Sequence, residues 1–444
     1  MNTLTETTQT EQNEIAENFA QQIETFRDTP SWWQDMKAKA FEAFQSLPMP
    51  TRKNENWRFA NISSLSLDEY DFTRSEKPTD LQELIEKSDI ISQPSGQIIF
   101  ADNHPVSMEP INDDLKAKGV IWEPLSEALQ NHSEILKKYF MSQDPHLGSE
   151  KFAALHSSFV SDGYLLYVPK GITIERPFIA NHWALSEKTA LFPHTLVIAE
   201  ESSNVTLIDT FNAKSESQKN FICAFNHIFA AANATVTYRS LQNWGTKTLG
   251  IHINSIITEK DATVNSLSVN LGCQHLRSEN QSVLKGEGSH IEMLSLSVAD
   301  NDQEIDQRTL QLHQSPHTTS NLLYKNALLK KSKTIFSGLI KVAKEAQKTD
   351  AYQTNRNLLL SEEAEANALP GLEIKADDVK CSHGATTGNM DKDQLFYMLA
   401  RGIKPHKARE LLVFGFFEEI ILKLSDNELA DYMRELIQTK LQSK

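Results

Sequence analysis

Cysteine is scarce in this sequence, at three in 444 residues, and Cys223, Cys273 and Cys381 lie too far apart for a CxxC pair. That spacing argues against a zinc ribbon or a thioredoxin-type site, and the odd count suits a reducing compartment better than a disulfide framework. Glycine is sparse too, at 16 residues or about 4% against a usual ~7%. No GxxxxGK[ST] stretch occurs, so a Gly-rich nucleotide cradle is not expected. No apolar run approaches the ~18 residues that would span a bilayer. The opening MNTLTETTQTEQNEIAENF has neither a basic start nor an apolar stretch. This excludes a secretory signal, argues against a transit peptide and leads us to expect a cytoplasmic protein. Metalloprotease HExxH and nucleophile-elbow motifs are absent, and no carboxylate pair sits in an acid–base setting, so no enzyme activity is read. Basic side chains, at 44, are outnumbered by 59 acidic ones, and a formal charge of −15 disfavours nucleic acid or an anionic membrane as a partner. What is present is the composition of a folded protein, 39% hydrophobic and long enough to bury a sizeable core.

Residues 1–90 read as largely helical after about a dozen disordered residues. Ile15, Phe19, Ile23 and Phe26 recur at helical spacing. Thr29-Pro30 reads as an N-cap with proline at the first helical position, followed by Trp33, Met36, Ala40, Phe44 and Leu47 on one face. Trp57 and Phe59, in Asn56-Trp-Arg-Phe59, are read as anchors of a loop to a core. A short helix is expected over Thr79–Lys87. Residues 91–155 are mixed, with an extended piece at Gly96–Ala101 and a helix near Leu125–Phe140. Tyr164–Gly171 then reads as a strand and turn.

From 156 to 390 short β-rich segments dominate, and six of them share a layout of strand, tight polar turn and strand. Aligning them puts Val205, Val236, Val264, Ile291, Ile335 and Ala368 in one column, at spacings of 31, 28, 27, 44 and 33. The long spacing is read as a polar loop insertion, DNDQEIDQRT. A period near 30 with two strands per unit points to stacked units, because one unit cannot cover its own apolar face. Stacked strand units of this kind make a β-helix. A propeller needs four strands in about 40–45 residues, and a sandwich gives no reason for six units to align. The fold class is therefore mainly β, a β-helix core flanked by helical ends.

Residues 391–444 return to helix. Asp391-Lys-Asp-Gln394 is a capping-box-like start, Arg401-Gly402 a glycine stop, and Pro405 opens a second helix running to Leu424. Ser425-Asp-Asn-Glu428 reads as a further capping box with Leu424 and Leu429 as its hydrophobic staple. The middle of the second helix, Leu411-Leu-Val-Phe-Gly-Phe-Phe417, is apolar nearly all round. Either it is buried among its own neighbours, or one face meets a partner, with Gly415 permitting close approach.

Chemistry centres on Cys381-Ser-His383. On a strand the two side chains share a face about 7 Å apart, where they could hold one metal ion, or the imidazole could activate the thiol. Lys380, on the other face, would help lower the thiol pKa. The plain alternative is a buried free cysteine beside a surface histidine. Cys273-Gln-His275 is a second Cys-x-His and reads as structural, and His313 and His317 flank a Ser315-Pro316 turn.

Several stretches together carry a resemblance. They are Asp350-Ala-Tyr-Gln-Thr-Asn-Arg-Asn-Leu-Leu-Leu-Ser361, Val379-Lys-Cys-Ser-His-Gly-Ala-Thr386, Gln394-Leu-Phe-Tyr-Met-Leu-Ala-Arg-Gly-Ile403 and Phe414-Gly-Phe-Phe417. Ser315–Lys325, Asp162–Gly171 and Asn56–Phe59 extend it over most of residues 30–425. The sequence resembles the SufB/SufD family of the Suf iron–sulfur cluster assembly system. The resemblance implies a right-handed parallel β-helix that pairs with a SufB-like paralogue through the β-helix. It also implies docking of a SufC-like ABC-type ATPase on the C-terminal helices at 391–444. By the same resemblance Cys381 and His383 would lie at the paralogue interface as candidate iron or Fe–S ligands. Leu411, Leu412, Phe414, Gly415, Phe416, Phe417 and Ile420 become the expected ATPase contacts. No cofactor is expected to bind stably to the chain alone, only a transient Fe–S cluster or iron in the complex, and a homodimer is possible without the paralogue. In SufB the stretch matching Gln353–Asn357 carries a cysteine needed for assembly. Asn355 stands there, and the turn Ser361–Ala368 has none, which favours the SufD branch over a SufB-type main scaffold. A carbohydrate-active β-helix enzyme is the remote alternative.

Overall fold

The repeat builds a parallel β-solenoid of about eight turns with helices at both ends. The computed structural model describes residues 2–62, 65–73, 78–424 and 426–442, with backbone alone over 2–13. The N-terminal region holds α1 (Asn2–Thr25), α2 (Ser31–Ser46), α3 (Leu81–Ser88), the hairpin β1 (Gly96–Ala101) and β2 (His104–Glu109), and α4 (Asp113–Ala117). It continues through β3 (Ile121–Pro124), α5 (Leu125–Asn131), α6 (Ser133–Tyr139) and α7 (Glu150–Phe159). The solenoid opens with β4 (Tyr164–Val168), β5 (Phe178–Ala184), β6 (Ala190–Leu191), β7 (His194–Ala199), β8 (Asn204–Ala213), β9 (Phe221–Ala230), β10 (Thr235–Asn243) and β11 (Leu249–Thr258). Next come β12 (Thr263–Asn270), β13 (His275–Leu284), β14 (His290–Ala299), β15 (Glu304–His313) and β16 (Thr319–Leu328). It closes with β17 (Lys333–Val342), β18 (Asp350–Leu359), β19 (Glu365–Ile374) and β20 (Lys380–Asn389). The tail is α8 (Lys392–Ala400), α9 (Pro405–Ile421) and α10 (Asn427–Gln442).

Two sheets run the length of the molecule, one ordered β2-β1-β5-β8-β10-β12-β14-β16-β18-β20 and the other β19-β17-β15-β13-β11-β9-β7-β4-β3. The chain passes from the second sheet to the first through a corner whose conformation repeats. Ser202, Asn233, Asp261, Gly288, His317 and Lys348 all have φ between 54 and 71°, and each stands two residues before its strand. The left-handed residue turns the chain sharply at little cost for Asn, Asp or Gly. Its N–H donates to the next coil's corner, as in Ser202 to Ala232 O (2.9 Å), Asn233 to Lys260 O (2.8 Å) and Asp261 to Glu287 O (2.8 Å). Corners therefore stack as the strands do, and the repeat is held in one register.

That register corrects the alignment made from sequence. Val205, Val236, Val264 and Ile291 do share a column, but it continues through Ser320, Ala351 and Cys381. Ile335 and Ala368 lie in the other sheet. The supposed DNDQEIDQRT loop contributes six residues to β15, which pairs along its whole length with β13 and β17. Each coil contains two strand–turn–strand halves with similar polarity, so an alignment on that pattern can slip by half a coil without losing its apolar match.

The outer face of the second sheet is covered by the N-terminal helices. Phe19, Trp33, Phe41, Phe152 and Phe159 pack on Leu196, Ile198, Phe225 and Ile251. Helices α2 and α7 cap each other. Lys37 Nζ donates to the carbonyls of Ser158 (3.1 Å) and Val160 (2.5 Å), and Lys151 Nζ to those of Phe44 and Leu47 (both 2.6 Å). These are C-terminal carbonyls with no intrahelical partner. The expected disorder of the first dozen residues is not found. With α1 anchored by Ile15 and Phe19, elongation toward Asn2 meets no Gly or Pro and needs no new nucleus. Thr29 is not the cap of α2, since its hydroxyl donates back to Phe26 O (2.6 Å) and the helix starts at Ser31. The helix expected over Leu125–Phe140 is two, broken at His132. Trp57 is buried as expected, while Phe59 is exposed.

The tail covers the outer face of the first sheet, with Val413, Phe417, Ile420, Met433 and Ile437 packed on Leu267, Leu294, Leu296 and Leu323. Asp391 caps α8 by accepting from the N–H groups of Asp393 and Gln394. Gly402 (φ 81°) ends that helix with Ile403 N donating to Met398 O (3.2 Å), the glycine stop read from sequence. Of the capping box at Ser425–Glu428, Ser425 lies outside the described residues, and Asp426 accepts from Leu429 N (3.1 Å). Among the described residues no helix is long and apolar enough to cross a membrane.

Candidate functional site

The two ends of the solenoid differ. At the N-terminal end, α4 and the strands β1 to β3 close the first coil with Ile111, Leu115, Val120 and Trp122. At the other end nothing among the described residues closes it. Strands β19 and β20 are the last of their sheets, and nearly all of β20 is exposed. Tyr352, Leu369, Leu372 and Ile374 are large apolar side chains left exposed in the last coils. An unpaired edge beside uncovered apolar surface is a template for another chain.

Cys381 and His383 sit on β20, facing the solenoid interior one rung above Ala351 and Gln353. Cys381 is half-buried and packs with Val342, Ala346 and Ala351, which continues the Val205 column. Burial raises its thiol pKa, and the charge of Asp350 raises it further against a backbone hydrogen bond at Ala351. This corrects the expectation from Lys380, whose register partner on β18 is that same aspartate. In the chain alone the thiol is kept protonated. His383 is exposed. Among the described residues no three His, Cys, Asp or Glu side chains converge to hold a metal ion.

Further along β20, under Ala385 and Thr387, the interior is polar. Asn357 Nδ2 donates to Asn355 Oδ1 (2.8 Å) and Thr387 Oγ1 (3.3 Å), and Asn326 Nδ2 donates to Asn357 Oδ1 (2.8 Å) and Gln307 Oε1 (3.1 Å). Near the other end Asp209 accepts from the hydroxyls of Tyr164 (2.5 Å), Thr195 (2.8 Å) and Tyr238 (2.8 Å). Burial outweighs these bonds and raises its pKa to about 6. The other Cys-x-His is structural, as read. Cys273 is buried in the left-handed region (φ 70°), with its sulfur accepting from Gln242 Nε2 at 2.9 Å. His313 and His317 do flank a corner, with His313 bonded to Thr318 and Ser320 (both 2.8 Å).

The seven apolar residues of α9 divide by face. Phe417 and Ile420 are fully buried on the solenoid and cannot contact a partner, because the helix spends that face on its own sheet. Leu412, Phe414 and Phe416 are half-buried, while Leu411 and Gly415 face outward. A Cβ on Gly415 would have nothing within 4 Å. The sequence reading missed α8 as a surface: no residue of it is buried, and Phe396 and Tyr397 are 72% and 59% exposed. The signal was present in Leu395-Phe-Tyr-Met-Leu399, an apolar run in a nine-residue helix too short to hide it. A groove of about 570 Å³ lies elsewhere, between Phe59 and the outer face at Leu310, Leu339 and Leu369.

Two family models match, the SufBD protein N-terminal region over residues 9–179 and the SUF system FeS cluster assembly SufBD core domain over 182–416. The chain belongs to the SufBD family. The iron–sulfur cluster assembly protein SufD of Bacillus subtilis is 28% identical over 93% of this chain and 94% of its own length. An iron–sulfur cluster assembly SufBD family protein of Staphylococcus aureus is 27% identical over 96% and 93%. This SufBD chain thus shares nearly the full length of relatives named for cluster assembly, and neither name states an enzyme activity.

Proposed function

We propose that this SufBD protein is a non-enzymatic scaffold subunit in which the open last coil is the working end. A SufB-like paralogue covers that end, strand edge to strand edge, and a nascent cluster is built where they meet. The observation that carries this reading is the placement of Cys381 and His383 on β20, a last strand of the solenoid that is exposed beside uncovered apolar surface. The iron and sulfide are cargo. Cys381 and His383 supply two ligands, and the partner completes the set. Burial at the interface works against the Cys381 thiolate, so a second chain's cations or the incoming iron must lower the thiol pKa, and the thiolate forms only in the assembled complex.

A SufC-like ATPase docks on the exposed apolar face made by Phe396, Tyr397, Leu399 and Leu411, with Gly415 admitting its backbone closely. The test is co-expression with a SufB-like paralogue and a SufC-like ATPase, followed by native mass measurement. A stable complex of all three is expected, and a lone monomer or homodimer in the presence of both would sink the reading. A SufB-type role has less support, because Asn355 is buried in the interior network and no cysteine stands near it on β18.

A further inference from the structure

The exposed site strand and the C-terminal helices are joined twice. By chain, β20 ends at Asn389 and α8 begins at Lys392, so two residues separate the strand from a helix with no buried side chain. By contact, Glu419 of α9 stands between two cations on neighbouring strands. Its Oε2 lies 2.6 Å from Lys325 Nζ on β16 and 3.1 Å from Arg356 Nη1 on β18. Lys325 is almost fully buried under the helix and also donates to Phe416 O at 2.8 Å, so this arm fastens α9 to the middle of the sheet. The Arg356 arm reaches one strand further. Among the described residues it is the one ion pair between α9 and β18, beside the half-buried Leu358 and Leu360. Among the described residues strand β18 is the only neighbour of β20 in its sheet, with Arg356 in register with Thr386.

We propose that the Arg356–Glu419 pair links α9 to the last coil, so that displacement of the helix loosens the strand that carries Cys381 and His383. The link gives the docking surface a route to the site, and this regulatory use rests on the reading of α8 and α9 as the ATPase face. Arg356→Gln cuts the outer arm and leaves Lys325, Phe417 and Ile420 to hold the helix. Arg356 is half exposed, so the variant keeps its core intact.

Hydrogen–deuterium exchange on the full chain reads the effect directly. The amides of residues 381–389 should exchange about two- to fivefold faster in Arg356→Gln, the range a half-exposed ion pair commands, while those of α9 and β16 stay as they were. Arg356→Lys should restore most of the protection. Unchanged exchange in β20, or equal loosening of α9, β16 and β20, would overturn the proposal. In the three-component complex, ATP should speed β20 exchange in the wild type and less so in Arg356→Gln. A chain that shows the Arg356→Gln effect but binds no ATPase would uphold the link and refute the docking reading.

Discussion

Single residues inside the solenoid show what its polar core costs. Asp209 is fully buried without a cation, and its pKa rises to about 6 because three hydroxyls do not replace its lost hydration. The folded pKa lies above the unfolded one, so the folded state binds the proton more tightly. Stability from this group is present below pH ~4 and is lost as pH rises through about 6, a change of roughly 2–3 kcal/mol. Asp209→Asn should flatten the pH dependence of urea unfolding between pH 4 and 7 relative to wild type. Parallel pH curves for the two proteins would show that Asp209 is not the group responsible. Glycines give a paired comparison. A Cβ on Gly338 would lie 2.4 Å from Gln353 Oε1 and 2.7 Å from Phe336 Cζ, whereas one on Gly384 meets nothing within 4 Å. Gly338→Ala should cost about 1–3 kcal/mol and Gly384→Ala close to nothing in the same unfolding assay. The Cys381–His383 pair was legible at this scale because strand alternation alone puts both on one face. That the face points inward, and that Asp350 sits beside Lys380, depends on register with β18, which no local spacing encodes.

At the scale of elements, local chemistry was legible where it is local. The Asp391 cap, the Gly402 stop and the extended Gly96–Ala101 were read to within a residue. The β units and their period were legible as well, because each strand alternates and each corner is polar. The half-coil slip arose because both corners of a coil look alike in sequence, and only pairing distinguishes them. The lysines that join α2 to α7 were not legible, since a lysine in a helix reads as a solvated face. Yet Lys37 is fully buried, and burial holds its pKa well below the usual lysine range. Lys37→Met keeps the bulk and strands two helix-terminal carbonyls. It should lower stability by about 2 kcal/mol or more, seen as a drop in Tm. A Tm equal to wild type would mean that the helix pair needs no reciprocal cap.

For the whole molecule, the solenoid gives its two sheets different work. One outer face takes the N-terminal helices and the other takes the tail, which leaves the last coil and α8 uncovered. Sequence indicated that α9 is more apolar than one surface needs, but not which residues face which way. Phe417 and Phe396 separate those roles. Phe396→Ala with Tyr397→Ala should abolish co-purification of the ATPase without changing Tm. Phe417→Ala should cost about 3–5 kcal/mol of stability, because it opens a cavity under the helix. Loss of Tm in the first variant, or its absence in the second, would reverse the assignment of faces.

Anaerobic reconstitution of the co-purified complex carrying Cys381→Ser and His383→Ala decides whether a cluster is built at the open coil. The complex should stay intact, with circular dichroism like wild type and a cluster yield, read from iron, sulfide and visible absorption, several-fold lower. A yield equal to wild type in that complex would mean that the cluster is built elsewhere.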